Sequence, residues 1–323
     1  MRFKNTSPKK NKHYKVLVLM AVYNGEKWIK PQIDSILNQK KVDVTLMIRD
    51  DSSTDHTSKI LKSYESYSNI KIIVSKKNSG GAAKNFYQLI LDSDPNSYDF
   101  VALSDQDDIF ASNKLYCGCD ILFNSECSGY SSSVLSFWRD GKNKILKQSH
   151  SITELDFLFE GAGQGCTFII KANTFIKIKY FVRSNKKLIY DFFFHDWLIY
   201  LLVRSWGLHW FFDNSVYTMY RQHSNNALGS RGSIEATKFR LKLILNGWYK
   251  TQLRLSFRIY KQSLFFNNSK STSNLAYKFS TVFLNNNRTL FKYLYILRSL
   301  VFHSRRRILD RVILLFAFSL NKL

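Results

Sequence analysis

Four short apolar runs, each ending in a polar or acidic cluster and each followed by a helix-like stretch, restrict this chain more than any other feature. Residues 15–20 (KVLVLM) run into Ala21-Val22-Tyr23-Asn24-Gly25, and residues 44–48 (VTLMI) run into Arg49-Asp50-Asp51-Ser52-Ser53-Thr54-Asp55. Residues 70–74 precede Asn78-Ser79-Gly80-Gly81, and residues 100–103 end at Ser104-Asp105-Gln106-Asp107-Asp108. Apolar runs of this length, bounded by turn formers, read as strands buried on both faces. The segments between them repeat apolar residues at helical spacing: Ile29, Ile33, Ile36 and Leu37, then Ile60 and Leu61, then Phe86, Leu89 and Ile90. Alternation of strand and helix predicts an α/β fold, with a mainly parallel sheet flanked by helices.

The later chain reads differently. Residues 134–170 are strand-like but irregular and contain a glycine-rich loop from Gly161 to Gly165; a helix is expected to start near Asp196 in DFFFHDWLIY. From Ile234 onward, basic amphipathic segments rich in Leu, Phe and Tyr predominate. A boundary near Gly229 to Gly232 divides the chain into a basic N-terminal tail (1–13), an α/β domain (14–230) and a basic helical region (231–323). Charge follows this division. Of the formal net charge of +24, residues 231–323 carry +16, from 18 Lys and Arg against Glu235 and Asp310. Cys117, Cys119, Cys127 and Cys166 match neither a disulfide framework nor a zinc pattern and read as ordinary thiols. The basic N-terminus lacks the apolar core of a secretory signal. Residues 312–320 fall well short of the roughly 20 that a spanning helix requires. The expectation is a cytoplasmic protein, or one peripheral to the cytoplasmic face of a membrane.

In an open parallel sheet, loops at the carboxyl ends of the strands line the ligand crevice. Three of the clusters occupy such ends. Asp and Ser there also make turns and cap helices, which explains any one cluster more readily than all three. Asp105 and Asp107, two apart after a buried strand, can converge on one hard cation. Mg²⁺ and Mn²⁺ take oxygen ligands, commonly one or two carboxylates together with substrate phosphates. Without a cation, such neighbouring carboxylates repel and raise one another's pKa.

The ordered segments MAVYNGEKWIKPQIDSILNQ, IRDDSSTDHT, NSGGAAKNF and VALSDQDDIFASNKL resemble family 2 inverting glycosyltransferases of the GT-A fold. GAGQGCTFIIKA, FFHDWLIYLLV and MYRQHSNNALGS agree, and within that family the chain is most similar to bacterial rhamnosyltransferases of surface-polysaccharide assembly. The resemblance spans roughly residues 14–230. It implies a metal-dependent transferase that moves a sugar from a nucleoside diphosphate onto a hydroxyl of a lipid-linked or growing glycan. Rhamnose from dTDP-rhamnose is the favoured donor, and a UDP-linked hexose is the alternative. By position, the resemblance implies that Ala21 and Tyr23 contact the nucleoside. Asp50, Asp51 and Ser53 fall in the DDxS motif, whose carboxylate reads the pyrimidine ring. Lys84 falls near the base or the phosphates. Asp105 and Asp107 match the DxD motif, with Asp107 the direct ligand to Mg²⁺ or Mn²⁺. Asp196 matches the general base, and Arg221 and His223 match a motif that reaches the diphosphate or the metal. There are departures: Ser53 reads as replacing the glycine of the DDGS form, a mild change where φ is negative. His195 stands where many relatives have an acid, and the loop 161–165 replaces a tighter one.

These roles suit the chemistry. Inverting transfer is a single displacement that needs a base on the acceptor hydroxyl and no covalent nucleophile. General base catalysis typically contributes about 10²–10⁴-fold, and a cation offsets charge developing on the leaving phosphates. The alternative reading of Asp196 is a helix N-cap before Trp197. Trp197, Tyr200 and Trp206, at helical spacing, read as core rather than as sugar platforms.

Lys238, Arg240, Lys242, Lys250, Arg254, Arg258 and Lys261 alternate with apolar residues such as Phe239, Trp248, Leu253 and Leu255. Such a stretch can lie on an anionic membrane surface with its apolar face inserted, and Arg305-Arg306-Arg307 beside residues 312–320 suggests the same. The alternative is a helical appendage with solvated charges. The net charge and 15% aromatic content also raise nucleic-acid binding. No recognition signature supports it, and the acidic strand-end loops would repel a phosphodiester backbone. A non-catalytic nucleotide-sugar-binding module is a further rival, against which the retention of Asp105, Asp107 and Asp196 speaks.

Overall fold

The computed structural model describes residues 13–148, 151–223, 241–267, 273–285, 289–320 and 322. Its strands are β1 (Tyr14–Val22), β2 (Val42–Asp50), β3 (Ile70–Val74), β4 (Phe100–Ser104), β5 (Ile109–Phe110), β6 (Cys127–Phe137), β7 (Asn143–Leu146), β8 (Ile169–Lys171) and β9 (His209–Arg221). The helices run in order α1 (Ile29–Leu37), α2 (Thr57–Lys62), α3 (Ala82–Asp92), α4 (Lys114–Phe123), α5 (Asp156–Phe159), α6 (Ala172–Ser184), α7 (Lys186–Ile189), α8 (His195–Ser205), α9 (Trp248–Phe266), α10 (Asn274–Leu284), α11 (Leu290–His303) and α12 (Ile308–Ser319).

The chain divides into two compact units, each drawn from several stretches. The first comprises the described residues of Met1–Gln148, Gly163–Arg183 and His209–His223; the second comprises those of Ser149–Ala162, Ser184–Leu208 and Ser224–Leu323. The boundary expected near residues 229–232 lies outside the described residues. The helix that carries Asp196 groups with the C-terminal helices, not with the sheet.

In the first unit the four expected runs are strands, parallel in the order β3-β2-β1-β4. Val16, Val18, Met20, Leu46 and Ile48 are fully buried, and Ile29, Ile33 and Ile36 of α1 join them in one core. Burial on both faces is why these strands read as continuous apolar runs rather than alternating ones. Beyond β4 the sheet becomes mixed: β8 is antiparallel to β4 and to β6, β9 lies parallel to β6, and β5 pairs antiparallel with β9. At Gly129 on β6, a Cβ would stand 2.3 Å from the Trp210 ring on β9, so only glycine permits that approach. The β6–β9 pairing ends with Arg221 opposite Phe137, which delivers Arg221 and the residues after it to the carboxyl-terminal edge of the sheet.

The second unit is helical around an aromatic core of Phe157, Phe159, Phe257, Phe279 and Phe283. Trp197 Nε1 donates to Phe157 O at 2.8 Å, and Trp206 Nε1 donates to Ser263 O at 3.2 Å. Trp197, Tyr200 and Trp206 are all buried, as core residues. Asp156, fully buried, accepts from Tyr200 Oη at 2.8 Å and pairs with Arg204 at 3.2 Å and Arg306 at 3.4 Å. Arg306 also donates its N–H to Glu160 Oε1 at 2.8 Å, and Arg305 Nη2 donates to Phe159 O at 2.9 Å.

This corrects the reading of the basic tail. Arg305 and Arg306 belong to an internal ionic network, and Arg307 alone of the three is exposed. The apolar face of α9, with Leu253 and Phe257, is buried within the unit; Lys238, Phe239 and Arg240 lie outside the described residues. Among the described residues no helix is long and apolar enough to cross a membrane.

Candidate functional site

The loops after β1 and β2 are stitched together by side chains that satisfy backbone donors. Asn24, at φ 50°, donates its N–H to Ser53 Oγ at 2.9 Å and accepts from Thr54 N–H at 2.8 Å. Asparagine tolerates that left-handed backbone better than most residues. Gly25 N–H donates to Thr57 Oγ1 at 2.8 Å, and Glu26 N–H donates to Asp55 Oδ2 at 3.1 Å.

Asp50 and Asp51 are 0% and 2% exposed. Asp50 accepts from Ser53 N–H at 3.1 Å, from the Ser53 hydroxyl, and from Ser58 Oγ at 3.1 Å. Asp51 accepts from Ser79 N–H at 3.0 Å, from Ser79 Oγ at 2.6 Å and from Arg49 Nη1 at 3.1 Å. Both carboxylates therefore hold the loops in shape from within. Tyr23 is exposed at this edge, and Ala21 lies buried just before it near the end of β1. Lys84 occupies the first turn of α3. One expectation shifts by a residue: the left-handed position is Ser52, at φ 67°, and not Ser53. The glycine of the DDGS form falls on Ser52, where a Cβ is strained, so the replacement is not mild.

Gln106, between the two acids of the DxD motif, ties the third cluster to the first. Its Oε1 accepts from Tyr23 N–H and its Nε2 donates to Tyr23 O, both at 2.9 Å. A Cβ on Gly25 would come within 2.5 Å of Gln106 Oε1, so the glycine leaves room for this clasp.

Asp107 Oδ2 lies 2.7 Å from His223 Nε2, and the His223 ring stacks on Trp28 with centroids 4.1 Å apart. Arg221 Nε donates to Asp107 O at 2.9 Å, its N–H donates to Asp108 Oδ1 at 3.1 Å, and its guanidinium lies 4.6 Å over Phe137. The structure thus unites Asp107, Arg221 and His223. Asp105 is placed otherwise: it clusters with Asp108 and Cys166, with one ligand atom from each within 4.8 Å of the others.

The two groupings differ in their fitness for a divalent cation. Asp108 is fully buried, and its carboxyl is pushed well up by burial and by Asp107 and Asp105. Burial and Asp108 likewise push the Cys166 thiol up. A thiol is a soft ligand, poorly matched to Mg²⁺ or Mn²⁺, which take oxygen. Asp107 and His223 keep side-chain exposures of 13% and 15% and offer an oxygen and a nitrogen, with the imidazole fixed by its stack on Trp28. The residues present fit a cation at Asp107. Beneath them Lys114 is fully buried, its Nζ 3.6 Å from the Phe110 ring centre, and burial pushes its amine down to about 8.

Asp196 lies in the second unit. Helix α8 begins at His195 and its N-cap residue is Phe194, so Asp196 sits within the first turn and is not the cap. The carboxylate is half-buried and accepts from Trp197 N–H at 2.7 Å. Burial pushes the His195 imidazole down to about 3, so it is neutral at physiological pH and supplies no positive charge to its neighbour. Gly161 lies flat against this turn: a Cβ there would stand 3.3 Å from Trp197 Cα. Trp28, Gln106 and Asp108 escaped the sequence reading. Asp108 and Gln106 stood inside a recognised motif, whereas Trp28 carried no signal of its own.

Comparison with known proteins bears on the family and the fold. Residues 17–181 match the family model for glycosyl transferase family 2. The chain is 41% identical over 236 residues to the dTDP-rhamnosyl transferase RfbG of Shigella flexneri, which covers 72% of this chain and 82% of that protein. The structure is similar to that of Staphylococcus aureus TarS in complex with UDP, with a TM-score of 0.53 at 15% identity, covering 95% of this chain and 88% of that one. It is also similar to the mannosyltransferase PcManGT of Pyrobaculum calidifontis in complex with GDP-Man and Mn²⁺, with a TM-score of 0.52 at 13% identity, covering 98% and 83%. At these identities the structural likeness speaks for the fold, which is GT-A, a mixed α/β sheet followed here by a helical C-terminal region. With half the chain matched by the family model and a close relative over most of its length, the chain belongs to glycosyl transferase family 2 and is a sugar-transferring enzyme.

Proposed function

We propose that the enzyme transfers rhamnose from dTDP-rhamnose, with inversion, onto a hydroxyl of a lipid-linked or growing polysaccharide presented at the cytoplasmic face of a membrane. The similarity to a dTDP-rhamnosyl transferase over most of both chains supports the donor. The observation that carries the chemistry is the Asp107–His223 pair, held at the edge of a parallel sheet beside the exposed Tyr23.

In this reading the nucleoside rests on Tyr23 and the rigid loop behind it, where Asp50 and Asp51 fix the backbone. Lys84 and Arg221 supply positive charge toward the diphosphate. Asp107 and His223 would hold Mg²⁺ or Mn²⁺, which when bound would neutralise charge on the leaving phosphates. The acceptor oxygen attacks the anomeric carbon as the carbon–oxygen bond to the diphosphate breaks on the opposite face. Asp196 takes the hydroxyl proton. Its carboxylate is half-buried in the first turn of α8, and a positioned carboxylate can serve as general base.

The test is calorimetric titration with dTDP-, UDP- and GDP-sugars, with and without Mn²⁺. The expected result is binding of dTDP-rhamnose that depends on Mn²⁺ and is lost in Asp107→Asn. Preference for a UDP-hexose would replace the donor and leave the site. Absence of binding to every donor by folded protein would overturn the catalytic reading.

A further inference from the structure

The hairpin of α11 and α12 carries an apolar face that the rest of its unit does not cover. On α11, Phe291, Leu294 and Phe302 line one side, and on α12 Ile308, Val312 and Phe316 recur every four residues; their exposures run from 50% to 84%. The opposite sides are buried, through Ile296 and Leu300 on one helix and Leu314 and Phe318 on the other. Tyr293 stacks on Phe318 with centroids 5.0 Å apart, joining the two helices. The turn between them is firmly mounted: Arg306 pairs with Asp156 and Glu160, and His303 O accepts from Thr153 Oγ1 at 2.7 Å and Leu155 N–H at 3.1 Å.

Two amphipathic helices with apolar sides outward, held from behind by the turn and by Tyr295 against Phe279, are built to meet something. The charge pattern selects the occupant. Arg298 and Arg307 are exposed beside the apolar stripes, and the one acid in either helix, Asp310, is paired with Arg305 at 3.9 Å. A second copy would bring a region of +16 against a region of +16, which opposes association through this face. An anionic lipid surface offers an apolar interior beneath a negative plane, which matches both features. At 1.5 Å per residue the 12 residues of α12 span about 18 Å, short of the ~30 Å hydrocarbon core, so the helices would lie in the interface and not cross it.

We propose that the α11–α12 hairpin docks on anionic membrane lipid, with Phe291, Ile308 and Phe316 inserted and Arg298 and Arg307 at the headgroups. The proposal rests on the membrane-borne acceptor for its purpose, and it assigns the contact to these helices instead of to α9.

The experiment is flotation of the full chain with vesicles of phosphatidylcholine alone or mixed with phosphatidylglycerol. Binding to the mixed vesicles is expected, weakened by high salt and reduced about tenfold or more in Phe291→Ser/Ile308→Ser/Phe316→Ser, with donor binding unchanged. A single variant, Phe316→Trp, should show fluorescence quenched by bromolipids. Wild type that does not float, a triple variant that floats equally well, or an unquenched Trp would overturn the proposal. So would a dimer of the wild type that the triple variant dissolves, which would give the face to a second copy. Loss of donor binding with vesicle binding intact would count against the transferase reading alone.

Discussion

Asp107 and His223 meet at 2.7 Å, although more than a hundred residues separate them, because β9 returns alongside β6 and ends beside the loop that follows β4. Neither side chain is fully enclosed, and together they offer one oxygen and one nitrogen to a cation. Asp107→Asn should lower transfer by at least about 10²-fold. His223→Ala should leave turnover measurable but raise the Mn²⁺ concentration needed for half-maximal rate by about 10–100-fold, the usual cost of disturbing a metal's supporting groups. Rates measured across a Mn²⁺ titration decide this. An unchanged metal requirement in His223→Ala would remove the histidine from the set.

Asp196→Asn keeps the size of the side chain and an acceptor for Trp197 N–H, so α8 should stay intact. The expected outcome is donor affinity within about twofold of wild type and a kcat lower by about 10²–10⁴-fold. Titration calorimetry paired with steady-state rates separates the two effects.

Arg306 pairs with both Asp156 and Glu160 in the buried ionic network. Removing one member of a buried pair leaves uncompensated charge, at about 3–5 kcal/mol. Arg306→Ala should lose stability of that order by urea denaturation, and Arg306→Lys should lose part of it, since an ammonium cannot reproduce the guanidinium fork.

Lys114 gives a pH signature. Unfolded, its amine titrates near 10.5, and burial holds it at about 8 in the folded chain. Below pH 8 the amine is charged in both states and the cost of burying it is present in full. Between pH 8 and 10.5 the folded chain has released a proton that the unfolded chain keeps, so stability contributed by this site rises with pH. Compared with Lys114→Met, the wild type should gain on the order of 3 kcal/mol across that window, read by denaturation at pH 7.5 and pH 10.5. A difference between the two proteins that does not change with pH would mean the lysine is not enclosed.

Ser52, at φ 67°, holds a strained backbone that glycine adopts freely. Relief of strain is partly offset by the greater freedom of glycine in the unfolded chain, so Ser52→Gly should gain up to about 1 kcal/mol. A higher thermal midpoint with unchanged donor affinity is the expected reading.

The parallel strands and their polar loops were legible because burial on both faces leaves an uninterrupted apolar run, and because turn chemistry is local. The parting of the three acids after β4 was not. Backbone geometry after β4 sends Asp107 toward His223 and turns Asp108 inward, and spacing alone does not reveal that choice. Ser53 was mistaken for the glycine position because φ leaves no mark in a serine pair. Arg305 and Arg306 read as charge for a membrane surface, since the carboxylate facing Arg306 lies 150 residues away. Trp28 was invisible for the same reason: its partner, His223, comes from the far end of the sheet unit.

The ionic contact between Arg306 and Asp156 has a bearing on how such a polypeptide can be shortened. The chain leaves the sheet unit and re-enters it more than once, and the segment bearing Asp196 folds among helices contributed from beyond residue 240. A gene ending at residue 230 would therefore not encode a trimmed catalyst. It would strand an aromatic and ionic interior without its other half, so the basic tail is a constituent of the enzyme and not its baggage.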